Sequence, residues 1–353
     1  MILAHLKSPQ IHSLPRVPLL EHHRRKPPPL GLLVGVPPPL PKQKVVVVMG
    51  TTGTGKSRLA IDLALHFNGE VINSDKIQIH AGLNIVTNKV TTEECKGVPH
   101  HLLGIAAPDA DYSVSDFRLE ASGAARMITH QGRLPIVAGG SNSYLKELVD
   151  GDMRAFRRHF DCCFLWVDVH LPVLHSFVSD RVDRMVERGL VEEVKDMFNP
   201  CMDYSKGIRR AIGLPEMDHY MRSEEIFSDR QRAKVLENAI KEIKTNTCIL
   251  TSRQLAKIHR LCMLPDWKVH RIDATNVFQK KGKSLDMAWY SLVEGPSIGI
   301  VREFLNKGIE HHKKKNHKPR ESLVNETVVL PGSNRGRCKL TSAGTLVSAV
   351  ATV

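Results

Sequence analysis

Gly50-Thr51-Thr52-Gly53-Thr54-Gly55-Lys56-Ser57 constrains the fold of this chain more than any other stretch. It matches G-x-x-x-x-G-K-[ST], and its neighbours fit that motif. Val45 to Met49 is an unbroken apolar run, mostly β-branched, as expected of a buried parallel strand. After the loop, Leu59, Leu63 and Phe67 recur at every fourth position with Ala60 and Ala64 beside them, the pattern of an amphipathic helix. Strand, glycine loop and helix in that order point backbone N–H groups and a helix N-terminus at an anion. Lys56 is then expected to reach a terminal phosphate and Ser57 to ligate Mg²⁺. The plain alternative is a glycine turn that holds nothing. The loop alone does not say whose phosphate it grips.

The pattern downstream alternates. Glu70 to Asn73 reads as a second strand, Asp116 to His130 as a helix, Leu134 to Ala138 as a third strand and Cys163 to Val169 as a fourth. In the helix, Phe117, Ala121, Ala124 and Ile128 share one face, and Ser113 stands at capping-box spacing from Asp116. Beyond Pro172 helical periods dominate: Leu174, Val178, Val182 and Met185 form one stripe. Ser228 with Gln231 opens another helix, carrying Val235, Leu236, Ala239 and Ile243. The fold class expected is α/β: a P-loop NTPase-like parallel sheet flanked by helices, with a mostly helical C-terminal lobe. The domain reading is a leader over 1–43, a catalytic domain over 44–306 (core 44–170, helical lobe 171–306) and a tail over 307–353.

The formal charge of +13 would ordinarily suggest a nucleic-acid partner, but its distribution argues otherwise. Residues 1–44 and 307–353 each net +6, which leaves +1 for everything between them. The leader also holds ten of the twenty prolines, in runs such as Pro27-Pro28-Pro29, so neither helix nor paired strand is expected there. Basic and almost free of acid, it fits an organelle transit peptide. Plastid targeting is the expectation, with mitochondrion or cytoplasm as alternatives. The tail, nearly all basic from His311 to Arg320, reads as solvated or disordered. Seven cysteines without a C-x-x-C pair make neither a disulfide framework nor a zinc knuckle. No apolar run approaches the roughly 20 residues of a membrane helix.

In open α/β sheets ligands bind beyond the carboxyl ends of the strands. The second strand ends at Asn73-Ser74-Asp75, which puts the Asp75 carboxylate on the rim of the phosphate loop; Gly139-Gly140-Ser141 reaches the same rim. Asp75 is therefore an acid/base candidate, or alternatively a cap for the turn that follows. Asp168 is a metal-binding aspartate or, the favoured reading, a strand-end cap. His100-His101 and His311-His312 have no carboxylate at metal-ligand spacing, and no metal site is expected there.

Several longer stretches then become recognisable. They are Val71-Ile72-Asn73-Ser74-Asp75-Lys76-Ile77-Gln78, Gly82-Leu83-Asn84-Ile85-Val86-Thr87-Asn88-Lys89 and Gly97-Val98-Pro99-His100-His101-Leu102-Leu103-Gly104. Tyr112 to Phe117, Gly139-Gly140-Ser141-Asn142-Ser143-Tyr144, Cys162 to Val169 and Gly207-Ile208-Arg209-Arg210-Ala211-Ile212-Gly213 continue the series. Together they resemble the isopentenyltransferases that prenylate adenine, in particular the plant branch that acts on adenine nucleotides to make cytokinins. The resemblance runs from about residue 44 to 306.

The resemblance implies that the loop, from Gly50 through Thr51, Thr52, Gly53, Thr54, Gly55 and Lys56 to Ser57, grips the diphosphate of dimethylallyl diphosphate with Mg²⁺. It implies that Arg181 also contacts that diphosphate, that Asp75 is the base for N6 of adenine, and that Thr52 orients the amine. The acceptor implied is ADP or ATP, with AMP used less well. The helical-lobe cations Lys241, Lys244 and Arg253 are candidates for the extra phosphates. Two rivals remain: a tRNA-modifying relative, disfavoured by the near-neutral core, and an ATP-dependent kinase, disfavoured by the length of the resemblance. A monomer is expected. Three residues depart from the family pattern, His80, Ala81 and Asn84; lying in the loop after Asp75, they put acceptor affinity in question.

Overall fold

The computed structural model describes residues 41–223 and 226–316. Most of 1–43 and all of 317–353, with the transit peptide and disordered tail expected there, and the side chains of His311-His312 lie outside the described residues.

Chain order explains the architecture. β1 (Gln43–Met49) runs through the glycine loop into α1 (Lys56–Phe67), which returns to β2 (Gly69–Asn73). A short α2 (Thr92–Cys95), a two-residue β3 (His100–His101) and α3 (Val114–His130) lead to β4 (Leu134–Ala138). Then come α4 (Asn142–His159), which breaks at Gly151 to Arg154, and β5 (Phe160–Asp168). All pairings are parallel, and the strand order is β3-β2-β4-β1-β5-β6, with β6 (Val269–Asp273) arriving much later in the chain. The expected fold class stands.

β1 lies inside the sheet, between β4 and β5, and its period-two alternation serves both faces. Val46 and Val48 join one core with Leu59 and Leu63 of α1. Val45, Val47 and Met49 join the other, with Phe117 and Ile128 of α3 and Leu145 of α4. Every β1 residue from Val45 to Met49 is fully buried, which is why the sequence shows an unbroken apolar run. Ser113 and Asp116 cap α3 reciprocally as their spacing implied, at 2.9 and 3.1 Å.

After β5, α5 (Leu171–Glu187) and α6 (Leu190–Met197) pack with the short α7 (Asp218–Met221) and the first half of α8 (Asp229–Cys262). This is the helical lobe, and Val182, Met185, Ala239 and Ile243 are its core. At about 1.5 Å per residue, 34 residues make α8 some 50 Å long, so its far end leaves the lobe. Ile258 and Leu261 there pack against the sheet's α3–α4 face.

The reading of 171–306 as one helical lobe needs correction. From β6 onward the chain is back on the sheet: Ile272, Val277, Trp289, Val293 and Val301 belong to the same core as α1. β6 escaped notice because it is an edge strand with a single buried residue, Ile272, flanked by exposed Arg271 and Asp273. β3 is two residues long and carries no periodicity at all. The last elements are α9 (Lys283–Trp289), a π-helical turn over Tyr290–Glu294, and α10 (Gly295–Asn316), which continues past the boundary placed at 306.

Candidate active site

The carboxyl ends of β1, β2 and β4 open onto one cavity of about 1000 Å³, walled on its far side by α5 and α8. Thr52, Gly53, Gly55, Lys56, Ser57, Asp75 and Arg181 all line it, so the structure gathers the main sequence candidates at one place. Thr51 and Thr54 are buried beneath the loop and shape it: the Thr54 hydroxyl donates to the Thr51 carbonyl at 3.0 Å.

Lys56 folds along the inside of the loop, its ammonium donating to the Thr51 carbonyl at 2.6 Å. Burial pushes its pKa down to about 8, with nearby Asp75 raising it and Arg181 lowering it further. Ser57 is exposed at the start of α1, and among the described residues its hydroxyl has no hydrogen-bond partner. That free oxygen at a phosphate loop suits a Mg²⁺ shared with phosphate oxygens.

Asp75 turns out to do both things weighed for it. Its Oδ1 caps the following turn, accepting from the N–H groups of Ile77 at 2.9 Å and Gln78 at 3.4 Å. Its Oδ2 is left toward Gly140 and the cavity, and no donor among the described residues reaches it. The side chain of Asn73 fixes the approach, accepting from Asp75 N at 3.2 Å while donating to Leu102 O at 2.8 Å. Gly139 allows this packing: a Cβ there would lie 2.4 Å from the backbone carbon of Ser74.

Arg181 reaches across from α5 and donates from Nη2 to the Thr52 hydroxyl oxygen at 3.2 Å. Burial lowers the guanidinium pKa to about 10, and Arg184 lowers it further. Its Nε is buried without a partner, and no carboxylate pairs with it among the described residues. An unneutralised cation in a cavity wall is an anion-binding arrangement.

Sequence reasoning missed Gln254. From the second half of α8 its Oε1 accepts from Thr52 N at 2.7 Å and its Nε2 donates to Gly140 O at 3.0 Å. One buried amide thus ties the phosphate loop to the β4 rim. Its place on the apolar edge of a long helix, four residues before Ile258, gave no signal beyond that of an ordinary helix position. Arg210, from the recognised Gly207-to-Gly213 stretch, and Lys76 add further positive charge, while Val182, Met185, Ile212, Ile243 and Leu250 supply an apolar sector.

Other candidates fall elsewhere. Asp168 does not cap the next helix: its Oδ2 pairs with Arg271 of the neighbouring strand at 2.7–2.8 Å. His101 has a carboxylate the sequence did not show, Glu70 at 2.6 Å, which Arg133 also pairs. Of the lobe cations, Arg253 lines the cavity, Lys244 is paired with Asp183 at 2.6 Å, and Lys241 lines a separate groove beside it. His80, Ala81 and Asn84 do not line the cavity. His80 is fully buried, its Nδ1 against Ala107 O at 3.0 Å, while Gln78, Thr87 and Asn88 of the same loop line the cavity.

The comparisons with known proteins agree with this geometry. The family model described as IPP transferase matches residues 78–158 and 152–260. The chain is 54% identical to adenylate isopentenyltransferase 5, chloroplastic, of Arabidopsis thaliana, over 80% of this chain and 86% of that protein. It is 53% identical to adenylate isopentenyltransferase 7, mitochondrial, of the same plant, over 75% of this chain and 82% of that one. Among solved structures it resembles a eukaryotic dimethylallyltransferase acting on tRNA, with a TM-score of 0.63 and 26% identity, covering 75% of this chain and 80% of that one.

Proposed function

Since the chain belongs to the IPP transferase family, we propose that it transfers the dimethylallyl group of dimethylallyl diphosphate to N6 of the adenine of ADP or ATP, less well AMP. Diphosphate leaves, and the product is a cytokinin precursor. The observation that supports this reading most is the free Oδ2 of Asp75 on the cavity that also holds the phosphate loop and the uncompensated Arg181.

The residues divide the work between the two substrates. Loop N–H groups, Lys56 and Arg181 hold the diphosphate, and the sector from Val182 to Leu250 covers the prenyl chain and keeps water from an allylic carbon turning cationic. N6 of adenine is a poor nucleophile because its lone pair is delocalised into the ring. Asp75 Oδ2 accepts its proton as the C–N bond forms, and the Thr52 oxygen, held by Arg181, keeps a lone pair to orient the amine. Ser57 would hold Mg²⁺, which would supply charge neutralisation on the leaving diphosphate.

Competition of ADP, ATP, AMP and unmodified tRNA for limiting donor, with products identified by mass spectrometry, tests the acceptor. Prenylated ADP or ATP is expected to dominate. Prenylated tRNA as the main product overturns the reading, and a preference for AMP overturns only the subfamily.

Burial of Lys56 sets a pH dependence. With its pKa lowered to about 8, the free protein loses the ammonium as pH rises through that value. Since kcat/KM reports groups of the free enzyme, kcat/KM for the donor should fall on the alkaline side with an apparent pKa of about 8. Bound diphosphate pulls the proton back, so the same limb in kcat should appear at higher pH. Lys56→Arg, permanently charged, should remove the limb; a limb that persists unchanged in Lys56→Arg would show that another group causes it.

The relatives' names point to organelles, chloroplastic for one and mitochondrial for another. Together with the basic, proline-rich leader this supports import, and plastids are the compartment we expect for a full-length fluorescent fusion. Removing residues 1–40 should leave turnover unchanged. A diffuse cytosolic signal from the full-length fusion would remove the import reading.

A further inference from the structure

The segment that returns to the sheet after β6 ends against the phosphate loop. Trp289, at the end of α9, is 2% exposed, and its ring edge abuts Gly55: a Cβ on Gly55 would lie 2.7 Å from the ring. Gly55 has φ of +89° and is the residue from which α1 starts, so its conformation sets where the loop's last N–H groups point. The indole is fixed in turn. Its Nε1 donates to Oδ2 of Asp62, a buried carboxylate one and a half turns into α1, at 2.9 Å. Arg58 lies over the ring at 4.6 Å and is held there by Asp286 at 2.9 Å, while Lys96 approaches the other oxygen of Asp62 at 3.6 Å. Immediately after Trp289 the backbone widens into the π-helical turn over Tyr290–Glu294, a feature that helices keep mostly where it serves a local need.

Resting on the function proposed above, we propose that Trp289, anchored by Asp62, is a positioning residue for the phosphate loop. It touches no substrate; its ring braces Gly55 so that the loop amides stay aimed at the donor's diphosphate. A brace of this kind acts on an interaction made in both ground and transition states. Its loss should therefore raise KM for the donor more than it lowers kcat.

The test uses the full chain. Trp289→Leu should raise the KM for dimethylallyl diphosphate and the Kd for inorganic pyrophosphate by about tenfold, within the hundredfold that small misplacements can cost. KM for the acceptor should stay near wild type, and Trp289→Phe should recover part of the loss. A lower melting temperature with unchanged donor KM and pyrophosphate affinity would mean that Trp289 only packs, and overturns the proposal. Should Trp289→Leu not fold, the wild-type protein still decides. The chain has three tryptophans, so 5-fluorotryptophan labelling gives three ¹⁹F resonances, with Trp289 assigned by elimination using Trp166→Phe and Trp267→Phe. Its resonance should shift on saturation with pyrophosphate, and no shift overturns the proposal. Pyrophosphate binding is read without turnover. A protein whose Trp289 resonance responds to pyrophosphate but which prenylates no nucleotide would thus sink the function alone.

Discussion

Asp75→Asn is expected to lower kcat by about 10²–10⁴-fold, the usual worth of a positioned general base, while leaving donor binding close to wild type. The amide keeps the shape of the carboxylate, and its oxygen can still accept from the N–H groups of Ile77 and Gln78, so the turn that Oδ1 caps should survive. What changes is the atom facing the cavity. An amide nitrogen there cannot take a proton from N6, and it presents a second donor to an amine that already has two. Rapid-quench turnover together with pyrophosphate titration separates the effects. The diphosphate contacts of Lys56 and Arg181 stay in place, so at a pH well below 8, where Lys56 remains charged without Asp75, Kd for pyrophosphate should hold while the chemical step collapses. Wild-type kcat in the variant would sink the assignment of Asp75 as base.

Asp75 also shows how far the residues alone could be read. Its position at the end of β2, on the rim of the phosphate loop, followed from an apolar strand and the rule that α/β sheets bind ligands at their carboxyl ends. Which of its oxygens was free did not follow, because that depends on the turn at Ile77 and Gln78. The strands buried on both faces and the capped helices were legible since each shows its period locally: Val45 to Met49 as a continuous run, and Phe117 to Ile128 as a stripe. β6 was not, since one buried residue in five leaves no alternation to detect. Gln254 and Trp289 share a different kind of silence. Both act over more than two hundred residues of sequence, on Thr52 and on Gly55 and Asp62, and nothing in their own neighbourhood announces a distant loop. Arg181 is intermediate. Beside the Val178–Val182 stripe it passes for a solvated charge, and the family resemblance singled it out before the structure showed a guanidinium turned into the cavity wall.

Arg181→Met is the second change with a large expected effect, and its two consequences run in opposite directions. Activity should fall by about 10²–10³-fold in kcat/KM for the donor, the scale on which a preorganised charge at a leaving group contributes. Stability of the ligand-free protein should not fall with it. The guanidinium is drawn into the wall of the cavity, its pKa held down to about 10 by burial and next by Arg184, its Nε without a partner. Among the described residues its one hydrogen bond runs to the uncharged Thr52 hydroxyl, and no carboxylate neutralises it. A cation kept in that state costs folding free energy that only an arriving anion offsets. A methionine of similar length fills the space beside Val182 without that cost. The variant should therefore melt at the same or a higher temperature than wild type without ligand, and pyrophosphate should raise its melting temperature less, because binding stabilises in proportion to affinity. Paired scanning calorimetry with and without pyrophosphate reads both quantities from one protein. A variant that melts lower yet keeps the full pyrophosphate shift would make Arg181 a packing residue, and the diphosphate would then be held by the loop and Lys56 without it.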